Sequence, residues 1–319
     1  MKEVSIIGLD LAKNVFQAHG AAADGSVVFR RRLSCSQLVK FFSAQPPCLV
    51  AMEACASAHH WARTIGALGH TVRLIPPAYV KPFVKRQKTD AADAEAIAEA
   101  AARPTMRFVE PKSEEQQAAA MAYRTRDLLV RQRTQTINAL RAHLAEYGVV
   151  APTGVAHVGR LAAVLEGSDS ELPEAVTALG RMLVAQIVAL SGQIEKLDKE
   201  LRQRAGSDDA TRRLMTIPGI GAITATALTT FAPPSETFSK GRDFAAWVGL
   251  TPRQHSSGGK QTLLGISKRG DTYLRTLLIH GARSVIYHAQ NKGQGSAQCG
   301  WLNGVVQRRN KNVAAVALA

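Results

Sequence analysis

The chain has 319 residues, 46% of them hydrophobic, which is material for two or three domains with buried cores. Aromatics are only 5% and alanine is abundant, so helix is favoured over an all-β architecture. The formal net charge of +15, with a pI near 10.0, points to a polyanionic partner, nucleic acid first; charge alone leaves a ribosomal or anionic-membrane role open.

Cys35, Cys48, Cys55 and Cys299 form no CxxC pair and the nine histidines show no HExxH spacing, which argues against a zinc site or a disulfide framework. The first residues carry no long apolar signal core, and no window approaches the roughly 18 apolar residues of a membrane span. A cytoplasmic, nucleoid-associated protein with no membrane partner is expected.

The first hundred residues read as α/β. Val4 to Leu11 is an apolar run bounded by charge, and Asp24-Gly25 is a turn signal between Phe16–Ala22 and Val27–Leu33, so three strands form a meander. A helix over Ser36–Ser43 is capped at Ser34 or Ser36. Cys48–Glu53 reads as a strand, His59–Leu68 as a helix ended by Gly69, Thr71–Ile75 as a strand stopped by Pro76-Pro77, and Asp90–Ala102 as a helix. Three strands followed by alternating helix and strand is the order of a ribonuclease-H-like domain.

The middle is helical. Ser113-Glu114-Glu115-Gln116 is a capping-box pattern that opens a helix running to about Tyr147 and stopping at Gly148, with Ile137, Leu140, Leu144 and Tyr147 at three- and four-residue spacing. Leu183, Ile187, Leu190, Ile194, Leu197 and Leu201 make a heptad seam, a coiled coil or antiparallel helix pair formed within one chain or between two. Residues 150–172 are the loop and short helices between. Arg124, Arg126, Arg131, Arg133 and Arg141 give this connector a basic face, either a nucleic-acid contact or simply solvated. From Lys240 onward there are twelve Lys/Arg against two acids, Asp243 and Asp271, which is +10 of the total +15. Asn312–Ala319 reads as an apolar helical run without a cap, and truncation at this end is expected.

Four carboxylates stand out. Asp10 occupies a strand position on the face of Val4, Ile6 and Gly8, where an unpaired carboxylate is costly without a cation, a hydrogen-bond cage or a metal. Glu53 ends a second strand. Asp90 and Asp93, three apart, share a helix face, where they could also merely favour a helix N-terminus. Two strand carboxylates and two helix carboxylates can converge on one point, the arrangement that two-metal phosphodiester chemistry requires. Hard oxygen donors suit Mg²⁺, or Mn²⁺ in vitro.

Gly-Leu-Asp10-Leu-Ala-Lys, Met-Glu53-Ala-Cys and Lys-Thr-Asp90-Ala-Ala-Asp93-Ala resemble the DEDD signature of the insertion-sequence transposases of the IS one-ten family. Ser-Ala-His-His-Trp-Ala-Arg (57–63) is most similar to its IS eleven-eleven branch, although Ala56 stands where relatives often have Gly. The resemblance covers nearly the whole chain. It implies a mixed-sheet RuvC-like domain over 1–110, a helical coiled-coil connector over 111–207, and a mainly α transposase domain over 208–319. It also implies that Asp10, Glu53, Asp90 and Asp93 bind catalytic Mg²⁺.

In the last third, Leu214-Met-Thr-Ile-Pro218-Gly219-Ile220-Gly221 reads as a helix-hairpin-helix whose Gly219 and Gly221 let backbone N–H groups approach phosphate, or as a tight packing turn. Arg253-Gln-His255-Ser256-Ser257-Gly258-Gly259-Lys260 is by spacing alone a plain loop. The block from Gly249 to Arg275 resembles the family's transposase domain, which implies that Ser257 attacks DNA and holds a phosphoserine link, with Ser256 the alternative. By the same analogy Arg253, Lys260, Lys268, Arg269 and Arg275 neutralise phosphate. The resemblance further implies DNA ends and target as partners, an element-encoded guide RNA, and a homodimer or homotetramer. Two other readings stay open: a RuvC-like junction resolvase or nuclease that needs no serine, and an inactive nucleic-acid-binding remnant of a decayed element.

Overall fold

Period-two alternation sets the sheet of the first unit. In the computed structural model, which describes residues 3–85, 87, 89–167, 171–292 and 297–319, the side chains of 291–299 being left out, β1 (Ile6–Asp10), β2 (Val15–Ala21) and β3 (Val27–Ser34) form an antiparallel meander. Lys88 and the Cys299 side chain, both noted in the sequence, lie outside the described residues. Helix α1 (Cys35–Ser43) leads to β4 (Leu49–Glu53), and α2 (Ala58–Gly66) to β5 (Thr71–Ile75). Strand β4 runs parallel to β1 and to β5, which gives the order β3-β2-β1-β4-β5.

Ile7, Leu9, Phe16, Ala18, Val50 and Met52 point to one side of the sheet and pack on Leu38, Phe42, Ala62 and Ile65 of α1 and α2. On the other side, Ala51 and Ile75 meet Ala96, Ile97, Ala100 and Ala101 of α4 (Asp90–Ala101). Helix α4 lies very close to β1, because Gly8 presents only hydrogen to it: a Cβ there would sit 2.1 Å from the Ala94 carbonyl oxygen. Between β5 and α4 the chain makes a short helix, α3 (Pro77–Val80), where Pro76-Pro77 had signalled only a stop. Proline at a first helical position loses no hydrogen bond, so the same pair ends a strand and opens a turn of helix.

Two compact units are resolved, Met1–Gln117 and Ala118–Ala319. Helix α5 (Glu114–Ala145) begins at the Ser113–Gln116 capping box, in which the Ser113 and Gln116 side chains each accept from the other's backbone N–H, at 3.1 and 3.0 Å. After α6 (Val158–Glu166), α7 (Glu174–Ser207) returns antiparallel to α5. Arg126 on α5 pairs with Asp198 on α7, Arg133 donates to Ser191, and Ile137 shares a core with Ile187. The heptad seam is therefore committed inside the chain: Ile187, Leu190, Ile194 and Leu201 are buried there.

Three expectations are corrected in this unit. Tyr147 is 48% exposed, not part of the α5 stripe, because the helix ends at Ala145. Helix α7 is long and apolar enough to cross a membrane by length and composition, although no such window was expected. The basic face of the connector is largely tied down: besides Arg126 and Arg133, Arg131 pairs with Asp127, and Arg141 donates to the Ala151 carbonyl at 3.0 Å.

The rest of the second unit comprises α8 (Asp209–Leu214), α9 (Ala222–Phe231), α10 (Gly241–Val248), a small antiparallel pair β6 (Pro252–Gln254) and β7 (Leu263–Ile266), and then α11 (Thr272–Lys292), α12 (Ala297–Arg308) and α13 (Lys311–Leu318). Helix α13 does have a cap, Asn310, whose side chain accepts from the Asn312 N–H. Its Ala314 and Ala315 are buried against Ala282, Ile286 and Leu302.

Candidate active site

The acidic centre forms where β1 ends beside the start of α4. Thr89 caps α4 by accepting from the Ala92 N–H at 3.2 Å, which fixes the first turn and places Asp90 and Asp93 on the side facing β1. Gly8 faces α4, so Asp10, two residues on, faces it too. Carboxylate oxygens of Asp10, Asp90 and Asp93 lie within 4.8 Å of one another. Three negative groups this close repel unless a cation sits among them. The donors are all hard oxygens, a set that fits a divalent ion such as Mg²⁺ and not a thiolate-seeking metal.

Glu53 falls outside that trio but belongs to its row. Leu9 pairs with Met52, so Asp10 and Glu53 end adjacent parallel strands at the same level, on the α4 side of the sheet. Of the four carboxylates expected to converge, three form one cluster, and Glu53 is not part of it.

Sequence reasoning missed the cleft next to this cluster. A cavity of about 590 Å³ is lined by Lys13, Asn14, Gln17, Arg32, Thr89 and Asp90 among others. Gln17 is level with Asp10 on the neighbouring strand, and Arg32 is level with Gln17. One step further from the strand end, the pairs Gly8–His19 and His19–Arg30 put His19 on the same face. His19 is 4% exposed, and burial lowers its pKa from the ordinary range, opposed by Glu95 and reinforced by Arg30 and Lys85. Glu95 is bonded by Lys85 at 3.0 Å and Arg30 at 2.9 Å; the Lys85 hydrogen bond is the main reason its carboxyl titrates below the usual range. The available signal was alternation: counting by two from Gln17 to His19, and from Arg30 to Arg32, assigns all four to the face of Asp10.

In the second unit, Ser256 and Ser257 sit at the tip of the β6–β7 hairpin. The turn is made by Gly258 and Gly259, both with left-handed φ (55° and 76°), and the Lys260 N–H donates to the Ser257 carbonyl at 3.0 Å. Ser256 Oγ accepts from the Gln254 side-chain amide at 3.0 Å and the Thr262 N–H at 3.2 Å. The Ser257 side chain is exposed and has no hydrogen-bond partner among the described residues. Arg253, His255 and Lys260 around it are exposed as well. His59 and His60 lie in α2, with His59 Nδ1 accepting from the Lys112 N–H at 3.1 Å.

The other expected phosphate contacts divide. Lys268 and Arg269 are exposed on the loop after β7, and Lys268 is the one non-glycine with positive φ (54°) among the described residues. Arg275 is different: it is 7% exposed, and its guanidinium donates to the Val248 carbonyl and to Thr272 Oγ at 2.9 and 3.1 Å, which makes it an internal strut with no face open to DNA. Gly219 abuts α11, where a Cβ on Gly281 would lie 2.1 Å from the Gly219 carbonyl oxygen, so this glycine has a packing role. Gly221, at the N-cap of α9, faces open space.

Similarity to known proteins converges on one family. Residues 7–149 match a transposase family model of the DEDD type, and residues 211–297 match the model described as Transposase IS116/IS110/IS902 family. A probable family 20 transposase of Pseudomonas aeruginosa is 50% identical over 318 residues, covering 99% of this chain and 94% of that one. The transposase for insertion sequence element IS1328 of Yersinia enterocolitica is 46% identical over 319 residues (100% and 94%). That for IS1111A of Coxiella burnetii is 40% identical over 320 residues (100% and 87%). A DEDD-type domain carrying such an acidic cluster is suited to divalent-metal chemistry. With identity of this order along its full length, the chain belongs to the IS116/IS110/IS902 family of insertion-sequence transposases, enzymes that cleave and transfer DNA strands.

Proposed function

We propose that this transposase excises and inserts its own element by Mg²⁺-dependent cutting and rejoining of DNA, using a carboxylate centre and a serine nucleophile. The observation that carries the reading is the convergence of Asp10, Asp90 and Asp93, with Glu53 beside Asp10. Residues 1–110 form a RuvC-like domain in this reading, supported by the antiparallel meander joined to two parallel strands. Residues 111–207 are the connector, and 208–319 the transposase domain with α8 and α9 as a helix-hairpin-helix.

Asp10, Glu53, Asp90 and Asp93 would hold Mg²⁺, or Mn²⁺ in vitro. Metal held by these four side chains would supply positive charge against the oxygens that attack and leave. Ser257 Oγ gives up its proton and bonds to the scissile phosphorus; the P–O bond to the deoxyribose breaks, and the departing hydroxyl gains a proton. Attack by a strand-end hydroxyl on the phosphoserine reverses the exchange and frees the serine. The commitment of Ser256 Oγ to two donors supports Ser257 as the nucleophile. Arg253, Lys260, Lys268 and Arg269 offset phosphate charge, and the open N-terminus of α9 at Gly221 adds favourable potential. Arg275 and Gly219 support that surface from behind. An element-encoded guide RNA directs target and donor choice, and a homodimer or homotetramer exchanges the strands of two duplexes in the cytoplasm.

The test is cleavage of a supercoiled plasmid bearing the element ends, with Mg²⁺ and the element's non-coding RNA, comparing wild type, Asp10→Asn and Ser257→Ala. Wild type should cut and form a covalent protein–DNA adduct, Asp10→Asn should do neither, and Ser257→Ala should form no adduct. Cutting by Asp10→Asn at the wild-type rate refutes the metal assignment. Undiminished cutting by Ser257→Ala means hydrolysis by water and refutes the recombinase.

A further inference from the structure

Strand β3 lies at the sheet edge and carries three consecutive arginines with three different fates. Arg30 bonds Glu95 at 2.9 Å. Arg31, on the opposite face, lies over the rings of Phe41 and Phe29, its guanidinium carbon 5.8 and 6.0 Å from their centroids. Arg32 is exposed, has no intramolecular partner among the described residues, and lines the cleft beside Asp90. Next to it on β2 is Gln17, half-buried and likewise unpartnered among the described residues, with Lys13 and Asn14 on the loop after Asp10 completing that wall.

We propose that Arg32 and Gln17 form a clamp for the DNA phosphate next to the one being cut, and this rests on the metal-centre reading above. A DNA strand entering a cluster of carboxylates meets net repulsion outside the space that cations occupy. A guanidinium on the far wall offsets that charge and offers paired donors to a phosphate. The Gln17 amide adds a donor without adding net charge to a wall that already carries Arg32 and Lys13. The cavity of about 590 Å³ falls within the roughly 300–1,000 Å³ of small-ligand sites, room for one nucleotide unit. Arg32 and Gln17 are positioning residues: they touch the strand next to the reacting phosphorus and set its register.

The test reads binding, not cutting. Affinity of the full chain, loaded with the element's non-coding RNA, for a duplex carrying an element end is measured in Ca²⁺ against salt, with phosphates replaced singly along the strand by uncharged methylphosphonates. Arg32→Ala should weaken binding about tenfold and lower the salt slope by about one. In wild type, one methylphosphonate position beside the cut should cost a similar factor, and Arg32→Ala should be blind to that position. Arg32→Lys should recover part of the affinity, Gln17→Ala should lose less than Arg32→Ala, and Arg30→Ala, whose partner is Glu95, should leave the slope unchanged. Melting temperature should stay within about 2 °C of wild type for Arg32→Ala, whose side chain supports nothing in the fold. Wild-type affinity and slope in Arg32→Ala overturn the clamp, as does equal sensitivity of wild type and variant to every methylphosphonate. Should Asp10→Asn cut normally, the metal reading falls, while this binding cycle still decides the clamp.

Discussion

Gly8→Ala tests whether the close seat of α4 on β1 builds the acidic centre. The new methyl carbon would stand 2.1 Å from the Ala94 carbonyl oxygen, 2.6 Å from the Ala98 nitrogen and 2.9 Å from the Ala98 Cβ. These are mostly backbone atoms, so no side-chain rotation relieves the clash. Reaching an ordinary contact of 3.4 Å requires helix and strand to separate locally by about 1.3 Å. Overpacking of this kind costs about 1–3 kcal/mol, and each kcal/mol lowers the melting temperature of a unit this size by roughly 4 °C. Asp90 and Asp93 ride on α4 while Asp10 stays on β1, so the same displacement widens a cluster now held within 4.8 Å. A misplacement near 1 Å is worth about 10²-fold in rate.

Three measurements on the full chain check this: thermal unfolding, amide exchange in Asp90–Ala101, and Mg²⁺-dependent cutting of an end-bearing plasmid. Gly8→Ala should melt lower, exchange faster in α4 and cut about 10²-fold more slowly. Gly66→Ala is the control, since a Cβ there has no atom within 4 Å and the residue ends α2. It should be neutral or stabilising by up to about 1 kcal/mol. If Gly8→Ala melts and cuts like wild type, the close seat of α4 plays no part in shaping the centre.

Lys268 should show opposite signs in two assays: Lys268→Gly relieves a left-handed residue and raises stability by up to about 1 kcal/mol in denaturant titration, yet weakens DNA binding through the lost charge. His70 is buried, and because the Cys48 N–H can only donate, His70 Nδ1 accepts it at 3.3 Å and Nε2–H donates to the Phe42 carbonyl at 3.0 Å. His70→Phe strands the Cys48 N–H and should cost about 1–3 kcal/mol in urea unfolding. Cys35 and Cys55 are exposed, whereas burial pushes the Cys48 thiol up to about 11, so peptide mapping after alkylation at pH 8 should find Cys48 labelled at least about tenfold more slowly. Because folding favours the protonated Cys48, its contribution to stability is complete below the ordinary thiol pKa of 9.0 and declines as pH rises from there through about 11.

Much of the first unit was legible because its signals are local and agree with one another. Strand limits followed from alternation and from Asp24-Gly25, Gly69 and Pro76; the caps at Ser34 and Ser113 were visible as side chains at fixed offsets. Asp10 was visible as a carboxylate out of place on a buried strand. What escaped depends on contacts far apart in the chain. Nothing near Arg275 in sequence says that its guanidinium turns inward to Val248, 27 residues away. The β6–β7 pair is three and four residues long with almost no buried side chain, so it lacks the hydrophobic alternation that marks a strand. Gly219 read first as a phosphate seat, with a packing turn the lesser alternative, and the approach of Gly281 and Val285 on α11 gives it packing partners.

The basic residues show why a charge total cannot locate a binding surface. The +15 suits a nucleic-acid partner, yet individual cations in this fold do unlike things. Arg126, Arg133 and Arg141 hold α5 to its neighbours, Arg275 props the turn after α10, and Arg31 covers aromatic rings. Each of these is a long side chain whose charge already has a carboxylate, carbonyl, hydroxyl or ring beside it. Binding to phosphate would require breaking that contact first, which offsets most of what the new one contributes. The cations that can meet DNA without such a loss are those left over, and among the described residues of the first unit Arg32 is one of them, on a wall of the acidic cleft. Electrostatic steering can use every charge at long range, but register on the duplex is set by the few with no other partner.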